Sequence, residues 1–377
     1  HVSGYGLIVT NAAYVLGGVN NLDNPQWAAA GKDEFSFSAR QSRFGLKGTW
    51  LKPPSALRAI EIGAQVEADF YGGFLGQGLA YYFPVPRLRI AKAYVAWKWA
   101  RFTFGQDWAL LAPLNPDSQL HVAVPGFAAS GNLWARMPQL RVDGVVGTRW
   151  RLSWAAALVA EVQNDAVATA DNAFTGVRKP EGGENALTPA GEARVALAHD
   201  LFDRAIEVGL SGHLGKRSVA FVSGTVPKIN GAVALDANVP IGRLLTLKGE
   251  VYYGTGLDSF FGGIQQGISF TRDAMGNINV VGPSIRDVGG WAQLTYAPLR
   301  WLSLLAGGGG DAPSRGDLLF ANAAANRTLN AAFYGAALVE VARGFGLGVE
   351  YDYLVTRYQA APTRKTNVIA LSGTLAF

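Results

Sequence analysis

The hydrophobic and polar positions of this chain alternate with a period of two along most of its length. In the stretch 150–158 the even positions are Trp, Leu, Trp, Ala and Leu, whereas the odd positions begin with Arg and Ser. The stretches 245–253 and 345–353 alternate in the same way, with Thr, Lys, Glu and Asp among the residues between the apolar ones. This period predicts β-strands that each have one apolar face and one small or polar face.

About sixteen such segments follow one another, and the connections between them alternate in length. The predicted strands lie near 2–16, 34–49, 59–70, 87–98, 100–108, 139–148, 150–161, 192–200, 204–215, 231–239, 244–254, 287–297, 301–310, 328–341, 344–357 and 365–377. Short connections lie at 99, 149, 201–203, 240–243, 298–300 and 342–343, with a slightly longer one through Pro53 and Pro54. Long connections cover 17–33, 71–86, 109–138, 162–191, 216–230, 255–286, 311–327 and 358–364. Alternation of short turns with long loops predicts a transmembrane antiparallel β-barrel with short periplasmic turns and long extracellular loops, formed by residues 1–377 as a single domain.

The composition narrows the choice of protein class. Hydrophobic residues make up 49% of the chain and charged residues 16%, against about 25% charged residues in typical soluble domains. No stretch approaches the roughly 18 consecutive apolar residues that a membrane-spanning helix needs. The chain has no cysteine, and its net charge of +5 includes no Lys/Arg cluster of the kind that binds nucleic acid. A large soluble β protein remains the alternative, but it gives no reason for the alternation in loop length.

Aromatic residues and the last strand support the barrel. Tryptophans concentrate beside the predicted short turns, as at Trp99, Trp150 and Trp301, and other aromatics including Trp108 and Trp291 also lie near segment ends. Such positions predict girdles at the two membrane interfaces. The final segment, 369–377, alternates and ends in Phe377, which resembles the terminal signature of bacterial outer-membrane proteins. The chain starts at His1 without a leader, so we expect either a removed signal peptide or a protein that is not exported.

Several segments resemble one family of membrane barrels. Residues 41–48 read QSRFGLKG, residues 89–95 read RIAKAYV and residues 102–106 read FTFGQ, while EYDY at 350–353 precedes the final strand. These segments resemble the Gram-negative bacterial porin superfamily, and the combination of ARQSRFGL with EADF at 67–70 is most similar to the DcaP-like trimeric porins. The resemblance covers the N-terminal third and the last fifty residues. The N-terminal helical extension of some DcaP-like members is not found in this sequence.

The resemblance implies sixteen strands, a homotrimer and a constriction loop folded into the pore, here about residues 109–138. This loop contains Pro113, Pro116 and Pro125 with many Leu, Val and Phe residues, which makes it unusually apolar for a loop exposed to water. Packing against the inner barrel wall accounts for that composition. Burial at a contact between subunits is the alternative.

The polar parity of the strands predicts the residues that line the pore. The predicted pore-lining and selectivity residues are Arg40, Arg43, Glu67, Asp69, Arg87, Arg89, Arg101, Asp107, Asp117, Arg141, Asp143, Arg151, Arg194, Lys248, Glu250 and Glu350. Arg40 and Arg43 break strict alternation, which predicts a bulge near Gln41. Lys92 falls on the lipid-facing parity unless a similar bulge intervenes. Opposed charges across a narrow water-filled pore orient polar solutes, although some of the arginines are expected simply to pair with neighbouring carboxylates.

The sequence therefore predicts an outer-membrane porin: a water-filled channel for passive diffusion of small hydrophilic solutes, with a mild preference for anions such as small carboxylates. A substrate-specific channel is the first alternative, and a structural, adhesive or enzymatic barrel is the second. The four histidines, His1, His121, His199 and His213, occur in no recognisable nucleophile or metal-ligand motif, so we expect neither an enzyme nor a cofactor. The expected partners are solutes and ions, outer-membrane lipid and lipopolysaccharide, and two further copies of the chain, but no nucleic acid.

Overall fold

The computed structural model of the chain describes residues 1–50, 61–72, 84–162, 182–201 and 203–377. The strands are β1 (Val2–Leu16), β2 (Gly18–Val19), β3 (Ala28–Ala29), β4 (Glu34–Ser38), β5 (Arg43–Trp50), β6 (Glu61–Asp69), β7 (Arg87–Ala96), β8 (Arg101–Trp108), β9 (Arg136–Val146), β10 (Trp150–Val159), β11 (Ala190–Leu201), β12 (Arg204–Phe221), β13 (Gly224–Ile241), β14 (Leu245–Thr255), β15 (Ile268–Arg272), β16 (Ile278–Ser284), β17 (Arg286–Leu299), β18 (Leu302–Pro313), β19 (Arg327–Ala342), β20 (Phe345–Tyr358) and β21 (Arg364–Ala376). The helical elements are α1 (Gly182–Asn185) and three 3₁₀ turns at Asp258–Phe260, Arg315–Asp317 and Phe320–Asn322. Within these ranges, no helix is long and apolar enough to cross a membrane.

One antiparallel sheet closes on itself to form the barrel. It contains β1, β4 to β14 and β17 to β21. Because β4 and β5 both pair with β1 and are separated only at 39–42, they act as one interrupted strand, so the described sheet is a sixteen-stranded barrel. Closure occurs where β1 pairs with β21, from Leu7 opposite Ala376 to Leu16 opposite Asn367. Closure gives the backbone N–H and C=O groups of both edge strands hydrogen-bond partners within the sheet, which a sheet in lipid requires. The predicted fold class is confirmed.

The two faces of the strands have the expected parity. On β20, Leu347 and Val349 point outward and are 47% and 51% exposed, whereas Glu350 and Asp352 point inward and are buried. On β21, Leu371 is exposed on the outer face and Ser372 is buried on the inner face. The outer surface, where large apolar side chains of many strands are exposed, is therefore an apolar belt, and the central charged residues of β20 are directed into the lumen.

The aromatic residues follow the prediction only in part. Trp99, Trp150 and Trp301 are exposed on the outer surface beside short turns, as expected for an interfacial girdle. The expectation for Trp108 and Trp291 is wrong. Trp291 is buried on the inner face, where it donates to Glu250, and Trp108 packs on Trp134 of the loop that follows β8. Parity along the strand decides the side of an aromatic ring, whereas nearness to a strand end does not.

The connections differ from the sequence prediction at two places. Residues 216–230 are not a loop, because β12 and β13 continue as a paired ribbon to Phe221 opposite Gly224. Buried and exposed residues still alternate there, and Gly224, directly after the turn residues 222–223, has a φ of +142° that favours glycine. The predicted loop 255–286 contains a second hairpin, β15–β16, whose Ile268 and Ile278 pack on Val219 of the ribbon. The turn at Pro53 and Pro54 and much of the predicted loops 71–86 and 162–191 lie outside the described residues.

Candidate functional site

The connection between β8 and β9, residues 109–135, lies inside the barrel, and we call it the inner loop. Its apolar side chains are almost completely buried, including Leu111, Leu120, Phe127 and Leu133. They pack against inward-facing strand residues: Leu111 and Leu133 belong to one cluster with residues of β10, β13 and β14, and Phe127 contacts Trp291. The apolar composition of the loop thus reflects packing on the inner wall of its own barrel. β9 begins at Arg136, two residues before the predicted end of the loop.

Polar side chains of the wall hold the first half of the inner loop by accepting hydrogen bonds from it. The backbone N–H of Leu110 donates to Glu192 (2.6 Å), that of Ala112 to Ser211 (3.1 Å), that of Leu114 to Glu250 (2.6 Å) and that of Asp117 to Gln293 (2.9 Å), while the Ser118 hydroxyl donates to Glu350 (2.7 Å). These acceptors lie on β11, β12, β14, β17 and β20 in turn. The loop therefore follows the inside of the sheet past successive strands, and the wall satisfies backbone groups that burial would otherwise leave unpaired.

Gln41 is hydrogen-bonded to the backbone in the middle of the inner loop. It lies in the interruption between β4 and β5, where the sequence predicts a bulge, and the departure from strand geometry places its side chain in the lumen. Its Oε1 accepts from the N–H groups of Val122 and Ala123 (both 2.8 Å), and its Nε2 donates to the carbonyl of Leu120 (2.7 Å). Three hydrogen bonds from one buried amide fix the loop at this point.

His121 connects the same part of the inner loop to β20. Its Nε2 lies 2.9 Å from Oδ2 of Asp352 and 3.9 Å from Oε1 of Glu350, and its Nδ1 lies 3.0 Å from Oδ1 of Asn24. Burial lowers the pKa of His121, but the hydrogen bond to Asp352 and the charges of the two carboxylates outweigh it, so the pKa lies above its usual value.

The second half of the inner loop approaches the wall so closely that only glycine fits at one position. Gly131 has φ +104°, and a Cβ there would lie 2.1 Å from the carbonyl oxygen of Gly290. Nearby, Asn330 of β19 donates to the carbonyl of Ala129 (2.8 Å). The loop is thus held along its whole length, and it occupies lumen volume beside the later strands.

Most of the predicted basic pore residues form ion pairs. The pairs are Arg40–Asp23 (2.5 Å), Arg87–Asp69 (2.6 Å), Arg89–Glu67 (2.6 Å), Arg89–Asp69 (2.8 Å), Arg141–Asp143 (2.9 Å), Arg151–Asp200 (2.7 Å), Arg194–Asp236 (2.5 Å), Arg194–Glu207 (2.8 Å) and Lys248–Asp117 (2.9 Å). Arg43 and Arg101 form no ion pair within the described ranges, and the guanidinium of Arg101 instead lies 4.7 Å from the centre of the Tyr94 ring. Pairing thus neutralises much of the arginine excess that the sequence displays.

The predicted acidic residues divide into two groups. Asp117 and Asp143 are accessible, but Glu67, Asp69, Asp107, Glu250 and Glu350 are buried. For Glu250 and Glu350 the expectation of contact with pore water is wrong, because the inner loop covers them and their oxygens accept its hydrogen bonds. Strand parity places a side chain on the inner face, but it contains no information about what a loop from elsewhere will cover.

Two further lysines lie in the lumen and are absent from the predicted pore-lining set. Lys92 faces inward and pairs with Asp107 (2.8 Å), because Arg89 is the extra residue of a bulge that resets the parity of β7. Lys47 is exposed on the inner face of β5, with its ammonium 5.6 Å from the centre of the Tyr5 ring. It has the same parity as Arg43, and that signal could have identified it from the sequence.

An open space remains between the inner loop and the early strands. A cavity of about 290 Å³ lies there, lined on the wall side by Arg141, Asp143 and Arg194 and on the other side by Trp108 and Pro113. Two basic side chains, one carboxylate and one indole thus border the same water-accessible volume. Such a lining can contact a small anion through the guanidinium groups and an apolar body through the indole ring.

The apolar belt, the closed sheet and the charged lumen with its docked loop together define a transmembrane β-barrel. No protein-family model matches the sequence, and no curated protein matches it. Solved structures do match, over the whole chain. The outer membrane channel DcaP of Acinetobacter baumannii has a TM-score of 0.73 at 17% identity, covering 100% of this chain and 97% of that chain.

Two other solved structures are similar over the same extent. The anion-selective porin from Comamonas acidovorans has a TM-score of 0.58 at 14% identity, covering 100% of this chain and 99% of that chain. OmpT, an outer membrane protein of Vibrio cholerae, in its trimer form has a TM-score of 0.55 at 12% identity, with 100% and 99% covered. These likenesses establish the fold, and this chain has the fold of Gram-negative outer-membrane porins.

Proposed function

We propose that this chain is an outer-membrane porin that lets small hydrophilic solutes diffuse passively, with a mild preference for anions. The observation that supports this most strongly is the inner loop, which is hydrogen-bonded to the wall through its backbone and leaves an open space lined by arginines. A barrel of about sixteen strands is too wide for its own side chains to fill. A docked loop narrows such a lumen without closing it.

The anion preference follows from which charges reach water. Many lumen carboxylates are taken up by anchoring loops: Glu250 and Glu350 hold the inner loop, and Asp287 and Asp311 accept from the backbone of Gly263 and Ile264. All four are buried. Lys47 and Arg101 are exposed and Arg43 is partly exposed. The accessible carboxylates Asp117 and Asp143 are ion-paired, whereas these three cations form no ion pair within the described ranges, so they contribute uncompensated positive charge to the lumen. A preference for small carboxylates is part of the proposal.

Reversal potentials in planar bilayers under a KCl gradient test the proposal. We expect the sign of the reversal potential to show that chloride permeates more readily than potassium. We expect Lys47→Gln to move the reversal potential toward zero. Lys98→Gln is the matched control, because Lys98 is an exposed residue in a short turn at the rim. A clear preference for potassium in the wild type refutes the anion preference, and the absence of any conductance refutes the channel.

Assembly and surroundings are further parts of the proposal. The trimer form of the OmpT structure suggests that three copies of this chain associate, with the remaining outer surface against lipid and lipopolysaccharide. Cross-linking of the protein in native membranes should give a ladder that ends at three copies. A ladder that ends at one copy argues for a monomeric channel.

An enzymatic barrel is the alternative from another class. We propose that the chain is not an enzyme, because both ring nitrogens of each inner histidine are engaged and none is left to act as a base. His213 contacts Glu161 (3.0 Å) and Glu192 (3.1 Å), and His121 contacts Asp352 (2.9 Å) and Asn24 (3.0 Å). His199 stacks on Trp150 at a short turn. Hydrolysis of a fluorogenic ester or peptide panel by the purified barrel, above the level of a boiled sample, would contradict this part of the proposal.

A further inference from the structure

Three potential metal ligands from two separate elements meet where the inner loop contacts β20. His121 comes from the loop, and Glu350 and Asp352 are neighbouring inward-facing residues of the strand. One ligand atom from each lies within 4.8 Å of the others. The separations of 2.9 Å from His121 Nε2 to Asp352 and 3.9 Å to Glu350 bracket the spacing of about 3.3 Å between ligand atoms around a tetrahedral zinc ion.

Asn24 orients the imidazole for this role. Its amide nitrogen donates to the carbonyl of Val124 (3.0 Å) and to Oε1 of Gln41 (3.4 Å), so its Oδ1 is the atom that faces His121 Nδ1. Nδ1 must therefore carry a hydrogen, and Nε2 is directed at the two carboxylates. A hydrogen bond from the far ring nitrogen to an oxygen is the usual arrangement behind a metal-bound histidine.

Two independent observations indicate that something further binds between these side chains. Among the residues that the structure describes, Oδ1 of Asp352 has no hydrogen-bond partner although Asp352 is only 4% exposed, and a buried carboxylate oxygen without a partner is costly. A cavity of about 20 Å³ lies against His121 and Asp352, two of the three candidate ligands, and against Ser118, which donates to the third, Glu350. This volume is about what one water molecule or one small cation requires.

We propose that His121, Glu350 and Asp352 bind one divalent transition-metal ion, with zinc the best fit. One imidazole nitrogen and two carboxylates match the ligand preferences of zinc, and two negative charges balance the charge of the ion. The ion would link the inner loop to β20 and give the unpartnered oxygen of Asp352 a ligand role. This proposal is independent of the channel function, because it concerns how the loop is fastened.

Metal binding by the purified barrel tests the proposal. The protein, with His1→Ala to remove a second, exposed imidazole, is stripped with EDTA and titrated with Zn²⁺ by calorimetry and with Co²⁺ by visible absorption. We expect one ion per chain and a loss of affinity of about 100-fold or more in His121→Asn. We expect about a 10–100-fold loss in Asn24→Ala, which removes the orienting group behind the ligand.

His199→Asn is the matched control, because this half-buried histidine lies beside a short turn, away from the cluster, and the variant should bind the ion as the wild type does. Resistance to heat denaturation on gels shows which variants retain the barrel. If His121→Asn does not fold, Asp352→Asn, which keeps the shape of the side chain, replaces it with the same expected loss. Equal binding by the wild type and by the folded variant, or no binding by either, overturns the proposal.

Discussion

Removal of the Glu250 carboxylate should release part of the inner loop. Glu250 accepts from the N–H of Leu114 through Oε1 (2.6 Å) and from the indole N–H of Trp291 through Oε2 (3.1 Å). Glu250→Ala leaves both donors buried without an acceptor, at about 1–3 kcal/mol each, which gives about 2–6 kcal/mol in total. Relief of the desolvation of a buried carboxylate offsets part of this, so we expect about 3 kcal/mol.

A loss of 3 kcal/mol in docking raises the population of the released loop by about 100-fold, since each 1.4 kcal/mol is a factor of ten. The barrel strands are not altered, so the main effect should be on the loop. We expect single-channel recordings of Glu250→Ala to show larger current fluctuations at similar mean conductance. Urea titration in vesicles should show that the free energy of unfolding of the barrel falls by less than the docking free energy of the loop does.

Two variants make this experiment decisive. Glu250→Gln keeps one acceptor for the Leu114 N–H and should lie between the wild type and the alanine variant. Glu207→Ala removes a lumen carboxylate that is partly exposed and pairs with Arg194, and it should leave the fluctuations unchanged. Our account of loop anchoring is wrong if Glu250→Ala and Glu207→Ala give the same traces and the same free energy of unfolding.

Further predictions concern the two faces, the loop and its surroundings. Leu371→Arg, on the outer face, should cost about 2–4 kcal/mol in lipid, whereas Ser372→Arg should mainly change conductance; a more destabilising Ser372 variant contradicts the assigned parity. Gly131→Ala should destabilise the inner loop by about 1–3 kcal/mol through backbone strain, measured by urea unfolding against Gly191→Ala, where a Cβ meets no other atom. The pKa of Glu161 is lowered because, although burial raises it, its histidine, arginine and asparagine partners outweigh burial. The stabilisation that the Glu161 carboxylate gives the folded state should therefore be complete above the pKa of this carboxyl in the unfolded chain. It should be lost as the pH falls through the lower pKa of the same carboxyl in the folded protein. The unfolding free-energy difference between wild type and Glu161→Gln should shrink on acidification, and a constant difference refutes this.

The strands could be predicted from the sequence because lipid imposes a strict rule. A residue on the outer face must be apolar, so alternation is nearly unbroken wherever the chain crosses the membrane, and the predicted bounds of β14 and β20 differ from the structure by a residue or two. Beyond the membrane, nothing requires the residues on the outer face to be apolar. This is why the ribbon formed by β12 and β13, which continues through Lys216 and Lys228, was predicted as a loop.

The site could be predicted only at the level of which face a residue occupies. The parity of β14 places Glu250 inside, but a loop from 136 residues earlier in the chain covers it, and no local pattern encodes that contact. Bulges are a second limit, because one extra residue reverses the parity that follows. Arg89 is such a residue, and Lys92 is in the lumen as a result.

The pairing of β1 with β21 also determines how the protein can fold. Leu7 lies opposite Ala376, so the contact that closes the sheet joins residues at almost the greatest separation this sequence allows. Such a contact carries the largest entropic cost of loop closure in the molecule. Topologies dominated by distant pairings fold slowly. Until β21 arrives, both edges of the nascent sheet expose unpaired backbone, which is open to pairing with other chains. Deletion of residues 364–377 should therefore yield aggregates rather than a smaller barrel.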